Sequence, residues 1–273
     1  MGRVIVVVSG KGGVGKTTLV ANLGIALAKK KYKVCVVDAD IAMANLTLVL
    51  GMQSTPISLH EVLLGQATIH DAVYDGPDGL GVIPSGLSLE TYRTVDSDRL
   101  AGVISTLKDE YDFVILDAPA GIEKTVQAAI GAAEEALLIT RPTPPSIADV
   151  LKIKMTAQRL GTRITGVVIN FARNEKGEIN RYDISKMLES PIYGIIPFDD
   201  DVRKTFLMEK PVPVCKRNPG SQAAIAITKI ADKLVGVEKV TDEKRPNPIS
   251  RLIGAITSIF KKKEKPRSDL SDK

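Results

Sequence analysis

Cysteine and histidine are scarce in this 273-residue chain, two of each. Cys35 falls in an apolar run and Cys215 in a segment read as a loop, and neither has a C-x-x-C companion. No disulfide framework can be built, and both thiols are expected to be reduced and structural. His60 and His70 have no partners at metal-ligand spacing and are expected at the surface or in turns. Long apolar runs are missing too. None approaches the ~20 uninterrupted residues that span a bilayer. The run Val4–Val8 passes straight into glycines and a lysine, without the length or cleavage site of a signal peptide. The expectation is a globular protein that starts in the cytosol, and a hydrophobic content of 44% is ample for its core.

Excess positive charge is also missing from most of the chain. The net charge is +5, but residues 239–273 carry ten Lys/Arg against five Asp/Glu, which leaves residues 1–238 neutral with 27 of each sign. A protein that grips nucleic acid over its folded surface carries its cations there. Nucleic acid is therefore not expected as a partner, and the basicity belongs to the tail.

What the chain does have is alternation. Short β-branched runs at 4–8, 33–38, 80–84, 113–117, 136–140, 164–170 and 192–196 alternate with helical stretches at 16–30, 96–109, 122–133, 146–160, 183–189, 200–210 and 221–235. Several of the runs lack polar alternation, as strands buried on both faces do. The predicted fold class is α/β, a mostly parallel doubly wound sheet of about seven to eight strands flanked by helices. The predicted organisation is one α/β domain over residues 1–236, a flexible linker over 237–247, an amphipathic helix over 248–263 and a polar tail over 264–273.

The stretch SGKGGVGKTT, Ser9 to Thr18, satisfies the phosphate-loop pattern G-x-x-x-x-G-K-[ST] through Gly10, Gly15, Lys16 and Thr17, between a predicted strand and a predicted helix. Gly10, Gly12, Gly13, Val14 and Gly15 would turn backbone N–H groups toward phosphates, and the helix N-terminus adds its dipole. Lys16 would reach the β and γ oxygens, Thr17 would ligate Mg2+, and Thr18 would bond the α-phosphate. Asp117 ends the apolar run FVILD, the form of a carboxylate that reaches Mg2+ through water, although strand-end aspartates also serve as plain turn formers. Asp199 and Asp200 read as helix N-cap and first-turn acids.

Together KGGVGKTT, VVDADIAMANL and LDAPAGIE, within residues 4–123, resemble the deviant Walker A ATPases of the MinD/ParA superfamily, and most closely its MinD branch. The resemblance implies an ATP- and Mg2+-dependent hydrolase. Lys11, which alone would read as a solvated loop lysine, would cross a dimer interface and neutralise transition-state charge at the other subunit's nucleotide. Asp40 would orient the attacking water, Asp38 would act around Mg2+ or its waters, and Asn45 would line the dimer-facing side. Asn170 would contact adenine with Pro197 beside the base, unless Asn170 is only a strand-end cap. Ala118 stands where some relatives have serine. The lack of bridging cysteines argues against iron–sulfur carriers of the superfamily.

In the tail, Ile249, Leu252, Ile253, Ile256, Ile259 and Phe260 fall within a helical arc of about 120° and are followed by Lys261, Lys262 and Lys263. Such a stripe can dock on the protein's own core or on a surface. The resemblance favours an anionic membrane surface, where each cation contributes about 1 kcal/mol. It also implies an ATP-dependent homodimer at the inner face of the cell membrane, a role in septum-site placement, and an unidentified activator or division-regulating protein as partner. A ParA-type DNA-partitioning ATPase and an FlhG-type flagellar-placement ATPase are the alternatives.

Overall fold

The computed structural model describes residues 2–41, 43–86 and 97–237. The predicted linker beyond Val237, the amphipathic helix and the polar tail, with every residue expected to contact a membrane from Ile249 to Lys263, lie outside the described residues.

Eight strands form one sheet: β1 (Arg3–Val8), β2 (Val34–Asp38), β3 (Tyr74–Asp75), β4 (Gly81–Ile83), β5 (Phe113–Asp117), β6 (Glu135–Thr140), β7 (Arg163–Ala172) and β8 (Ile192–Pro197). Their order is β3-β4-β2-β5-β1-β6-β7-β8, and all pairings are parallel except the short β3 on β4. The helices are α1 (Lys16–Lys29), α2 (Leu46–Val49), α3 (Leu59–Leu63), α4 (Leu100–Ser105), α5 (Lys124–Gly131), α6 (Pro144–Arg159), α7 (Arg181–Leu188), α8 (Asp200–Thr205), α9 (Val214–Arg217) and α10 (Gln222–Leu234). None of them is long and apolar enough to cross a membrane.

The period-two pleat splits each central strand between two cores. Val4, Val6 and Val8 of β1 join Val114, Leu116 and Leu138 beneath α3 to α7. Ile5 and Val7 join Val36, Ile115, Leu137 and Ile139 beneath α1, α2, α9 and α10. Strands with both faces covered show no polar alternation, which is why β1 and β5 read from sequence as continuous apolar runs. From β1 the chain winds toward β2, and from β5 it winds the opposite way to β6. The carboxyl ends of β1, β5 and β2 therefore border the crevice where doubly wound sheets bind ligands.

Several expectations need correction. The helix expected over 96–109 is broken, with α4 flanked by 3-10 turns at Ser97–Arg99 and Thr106–Asp109. Ser105 Oγ donates to the Gly102 carbonyl at 2.7 Å and Thr106 Oγ1 to that of Val103 at 2.8 Å, bonds that compete with the helical ladder. The helix expected over 200–210 stops at Thr205, whose hydroxyl donates to the Val212 carbonyl at 3.2 Å and draws the chain back past Pro211. His60 is buried in α3, not at the surface. A capping box formed by Ser58 and Glu61 starts that short helix and turns Leu59, His60, Val62 and Leu63 inward. Cys215 lies in α9, buried, not in a loop.

Candidate functional site

Between Val8 and Lys16 the chain turns from β1 into α1 through glycines, and at three of them a side chain would be strained or would clash, Gly13 with φ 71° among them. Gly15 takes φ 92°, the left-handed region, and a side chain there would meet Asn170 Nδ2 at 2.4 Å. Gly10 faces α6, where a Cβ would come within 2.4 Å of Asp149 Cβ. Gly12 and Gly13 border open space. The N-terminus of α1 has neither a capping side chain nor an acidic residue in its first turn, so its N–H groups and dipole remain available to an anion. Val14 is buried and anchors the loop, while Thr17 and Thr18 are half-buried in the first turn.

Lys16 opens α1 with a buried side chain. Burial lowers its pKa, and the neighbouring charges of Asp117 and Asp40 oppose that shift. Asp38 and Asp117 end adjacent parallel strands and stand opposite one another in register. Both are buried. Desolvation raises the pKa of both, aided at Asp38 by the charge of Asp117 and resisted at Asp117 by the Thr17 hydroxyl and Lys16.

The two carboxylates are used differently. Asp38 accepts backbone N–H bonds from Asp40 at 3.1 Å and from Asn45 and Leu46 at 3.0 Å, which fixes the loop between β2 and α2. That loop sets the positions of Asp40, whose Oδ1 accepts the Met43 N–H at 3.1 Å, and of Asn45, whose Nδ2 donates to the Met43 carbonyl at 2.7 Å. Asp117 Oδ1, in contrast, is buried with no hydrogen-bond partner. A buried carboxylate oxygen left unpartnered beside a threonine hydroxyl and a lysine suits a hydrated cation. Among the described residues no three His, Cys, Asp or Glu side chains converge on a metal. The unpartnered Asp117 oxygen beside the Thr17 hydroxyl fits Mg2+, which keeps several waters and takes few protein ligands beside phosphate oxygens.

Next to the loop, an apolar cleft of about 230 Å3 is lined by Gly15, Thr18, Asn170, Pro197, Phe198 and Phe206, among others. Its size, its apolar wall and its place beside the phosphate loop suit a purine. Asn170 does more than cap its strand. Its Oδ1 accepts the Phe171 N–H at 2.9 Å, and its Nδ2 donates to the Val14 carbonyl at 2.8 Å, tying β7 to the phosphate loop. Phe171 adopts φ 58°, rare for a bulky residue, and turns into the cleft wall. The Arg141 guanidinium stacks over Phe171 at 5.3 Å and that of Arg173 over Phe198 at 3.7 Å. Asp199 caps α8 through the Asp201 N–H at 2.8 Å, as expected of it, and also accepts the Ala223 N–H at 2.9 Å.

The structure thus gathers Gly10 to Thr18, Asp38, Asp40, Asn45, Asp117, Asn170 and Pro197 around one end of the sheet. Lys11 is exposed and pairs within its own chain, with Nζ 2.9 Å from Asp149 Oδ2. Reasoning from sequence had no place for Asp149, Phe171, Phe198 or Phe206. Their spacing from the loop is set by tertiary packing, and only the adjacency of Phe171 to Asn170 and of Phe198 to Pro197 offered a local signal.

The chain matches the CobQ/CobB/MinD/ParA nucleotide binding domain family over residues 5–212. It is 43% identical over 258 residues to an uncharacterised ATP-binding protein of Methanocaldococcus jannaschii, covering 94% of this chain and 97% of that one. It is similar in structure to the septum site-determining protein MinD of Pyrococcus horikoshii complexed with Mg-ADP, with 37% identity, a TM-score of 0.82 and coverage of 88% of this chain and 100% of that one. It is also similar to a chain of the MinC:MinD cell division protein complex of Aquifex aeolicus, with 30% identity, a TM-score of 0.76 and coverage of 90% and 100%.

Proposed function

The chain belongs to the CobQ/CobB/MinD/ParA family of nucleotide-binding proteins, and from that membership we propose that it is a MinD-type ATPase switch, closed as a dimer by ATP and reopened by hydrolysis. The observation that carries the reading is the uncapped N-terminus of α1, with buried Lys16 facing Asp117 and its unpartnered oxygen. Backbone N–H groups from Gly10 to Gly15 and the first turn of α1 cradle the triphosphate, and Lys16 neutralises its β and γ oxygens. Thr17 and Asp117 hold Mg2+, which neutralises charge on the phosphates. Asp38 fixes the following loop so that Asp40 presents its carboxylate to a water in line with the γ-phosphate, and Asn45 lines the face that closes on the second subunit. The apolar cleft receives adenine against Pro197, with Asn170 at its edge. Lys11 completes the site in trans, so that the monomer binds ATP but turns it over slowly.

The role outside chemistry follows from the tail. Six apolar residues on one helical face give weak and reversible attachment to an anionic bilayer, and two tails on one dimer gain roughly 10^2 to 10^4 in avidity. Nucleotide state is thereby converted into position at the inner face of the cell membrane. A protein partner reads that position for septum placement, as the MinC:MinD complex of a relative supports. The test is co-sedimentation with anionic liposomes in ATP and in ADP, using an Asp40→Ala chain to block hydrolysis and a chain truncated after Glu238 as control. Pelleting in ATP alone, lost with the tail, is the expected result. Equal pelleting in both nucleotides, or none, overturns the membrane switch. ATP-dependent retention on duplex DNA in its place would point to partitioning.

A further inference from the structure

Lys11, the lysine that an ordinary phosphate loop does not need, is engaged within the single chain. Its partner Asp149 sits in the second turn of α6 with a carboxylate only 19% exposed, whereas the Lys11 side chain is 57% exposed. The contact is built on both sides. Gly10 leaves no space for a side chain between the loop and Asp149, so the loop rests directly on the helix that carries the carboxylate. Lys152, on the same helix, offers a second cation to the other oxygen, 3.4 Å from Oδ1.

We propose that Asp149 is a positioning residue that holds Lys11 in cis, and that opening this ion pair is a step in closing the ATP-bound dimer. The inference rests on the in-trans role of Lys11 given above. A lysine that reaches across an interface must leave the carboxylate of its own subunit. Each subunit has to open its own pair, so the penalty enters the dimerisation constant twice. A part-exposed pair is worth a factor of about 1.4 to 5, which makes the two together about two- to twenty-five-fold. Lys152 competes for the same carboxylate, so removing it leaves Lys11 as the sole cation and tightens the hold.

The test is sedimentation velocity of the full chain in ATP and Mg2+, with Asp40→Ala present to block hydrolysis, and phosphate release in the hydrolytic chain. Asp149→Asn keeps the shape on which Gly10 packs. It is expected to tighten the dimer about two- to twenty-five-fold at low salt, with a smaller gain at 0.5 M NaCl, where the wild-type pair is already screened. Turnover rises at protein concentrations below the dimerisation constant and is unchanged where all the protein is dimeric. Lys152→Gln shifts the dimer the opposite way. In a Lys11→Ala background Asp149→Asn has no effect. An Asp149→Asn dimer no tighter than wild type, or a gain that survives Lys11→Ala, overturns the proposal. The two failures are distinguishable: a Lys11→Ala chain that dimerises and hydrolyses like wild type sinks the in-trans reading itself, whereas an inactive Lys11→Ala with a silent Asp149→Asn sinks only the latch.

Discussion

Two buried carboxylate clusters lie at opposite ends of the same sheet, and they are built on opposite plans. At the amino end Glu135 begins β6 beside the starts of β1 and β7. Arg3 grips it with Nε and Nη2, each at 2.8 Å, Arg163 Nη2 lies 3.0 Å away, and Thr165 donates its hydroxyl at 2.8 Å. Burial alone would raise the Glu135 pKa, but the bonds from Arg3 and Thr165 outweigh it and hold the carboxyl below its usual range. At the carboxyl end Asp38 and Asp117 face each other with Lys16 as the nearby cation and one oxygen unpartnered. The first cluster is complete as folded and serves stability. The second is complete only with a ligand, and its incompleteness marks the site.

Neutral isosteres give the sharpest contrast. Asp117→Asn is expected to lower ATP turnover by about 10^2 to 10^3, the scale for losing one preorganised electrostatic partner. It should also stabilise the ligand-free chain at pH 7 by about 0.5 to 2 kcal/mol, because it removes a buried charge that Lys16 and the Thr17 hydroxyl offset only in part. Glu135→Gln should do the reverse. Turnover per folded molecule stays unchanged while stability falls by about 2 to 3 kcal/mol, at or just below the bottom of the range of about 3 to 5 kcal/mol for a broken buried pair, since Arg3 keeps 34% of its side chain in water. Urea unfolding and phosphate release on both variants check this. If Asp117→Asn destabilises the ligand-free chain as much as Glu135→Gln does, the two ends do not differ in plan.

Titration separates the clusters by sign. Asp38 and Asp117 have raised folded pKa values, so between the unfolded value near pH 4 and neutrality the folded chain keeps protons that the unfolded chain has released. Their contribution is fully present below that unfolded value and is lost as pH rises toward neutrality. Glu135 is depressed, so its contribution is present above the unfolded value near 4.3 and is lost as pH falls through the folded one. The ligand-free chain should therefore lose roughly 1 to 2 kcal/mol between pH 5 and 8, and Mg-ADP should flatten the decline by neutralising the acidic end. A ligand-free stability that climbs steadily from pH 5 to 8 in urea titrations would contradict the assignment.

How much of each end was legible follows from how local its signals are. β5 was read with its final bounds, Phe113–Asp117, because burial on both faces leaves a continuous apolar run ending in an acid. The phosphate loop was read because its glycines, lysine and threonine are contiguous. That Asp38 spends its oxygens on the Asn45 and Leu46 N–H groups was hidden, since α2 has four residues and no period to detect. The ion pair between Lys11 and Asp149 spans more than a hundred residues of sequence. The Glu135 cluster was illegible for the same reason, as its members open three different strands and are brought together by the sheet order alone. His60 misled because its helix is set by a capping box and not by a hydrophobic stripe.

The smallest effect tests whether the amino-end cluster acts through burial or merely through charge count. Arg3 and Arg163 both pair with Glu135, but their side chains are 34% and 68% exposed. Arg3 also lies over the Phe113 ring at 5.4 Å, so its removal forfeits packing and a stacked contact along with the bidentate bond. Arg163 offers a single bond from a largely solvated guanidinium, where screening and side-chain entropy offset most of the Coulomb attraction. Arg163→Gln should therefore cost at most about 0.5 kcal/mol, and less still at 0.5 M NaCl, because the carboxylate it leaves remains held by Arg3 and Thr165. Arg3→Gln should cost several times as much under the same conditions. Equal losses for the two in urea unfolding would mean that the cluster responds to net charge and not to geometry, and the contrast with the carboxyl end would then rest on the number of cations alone.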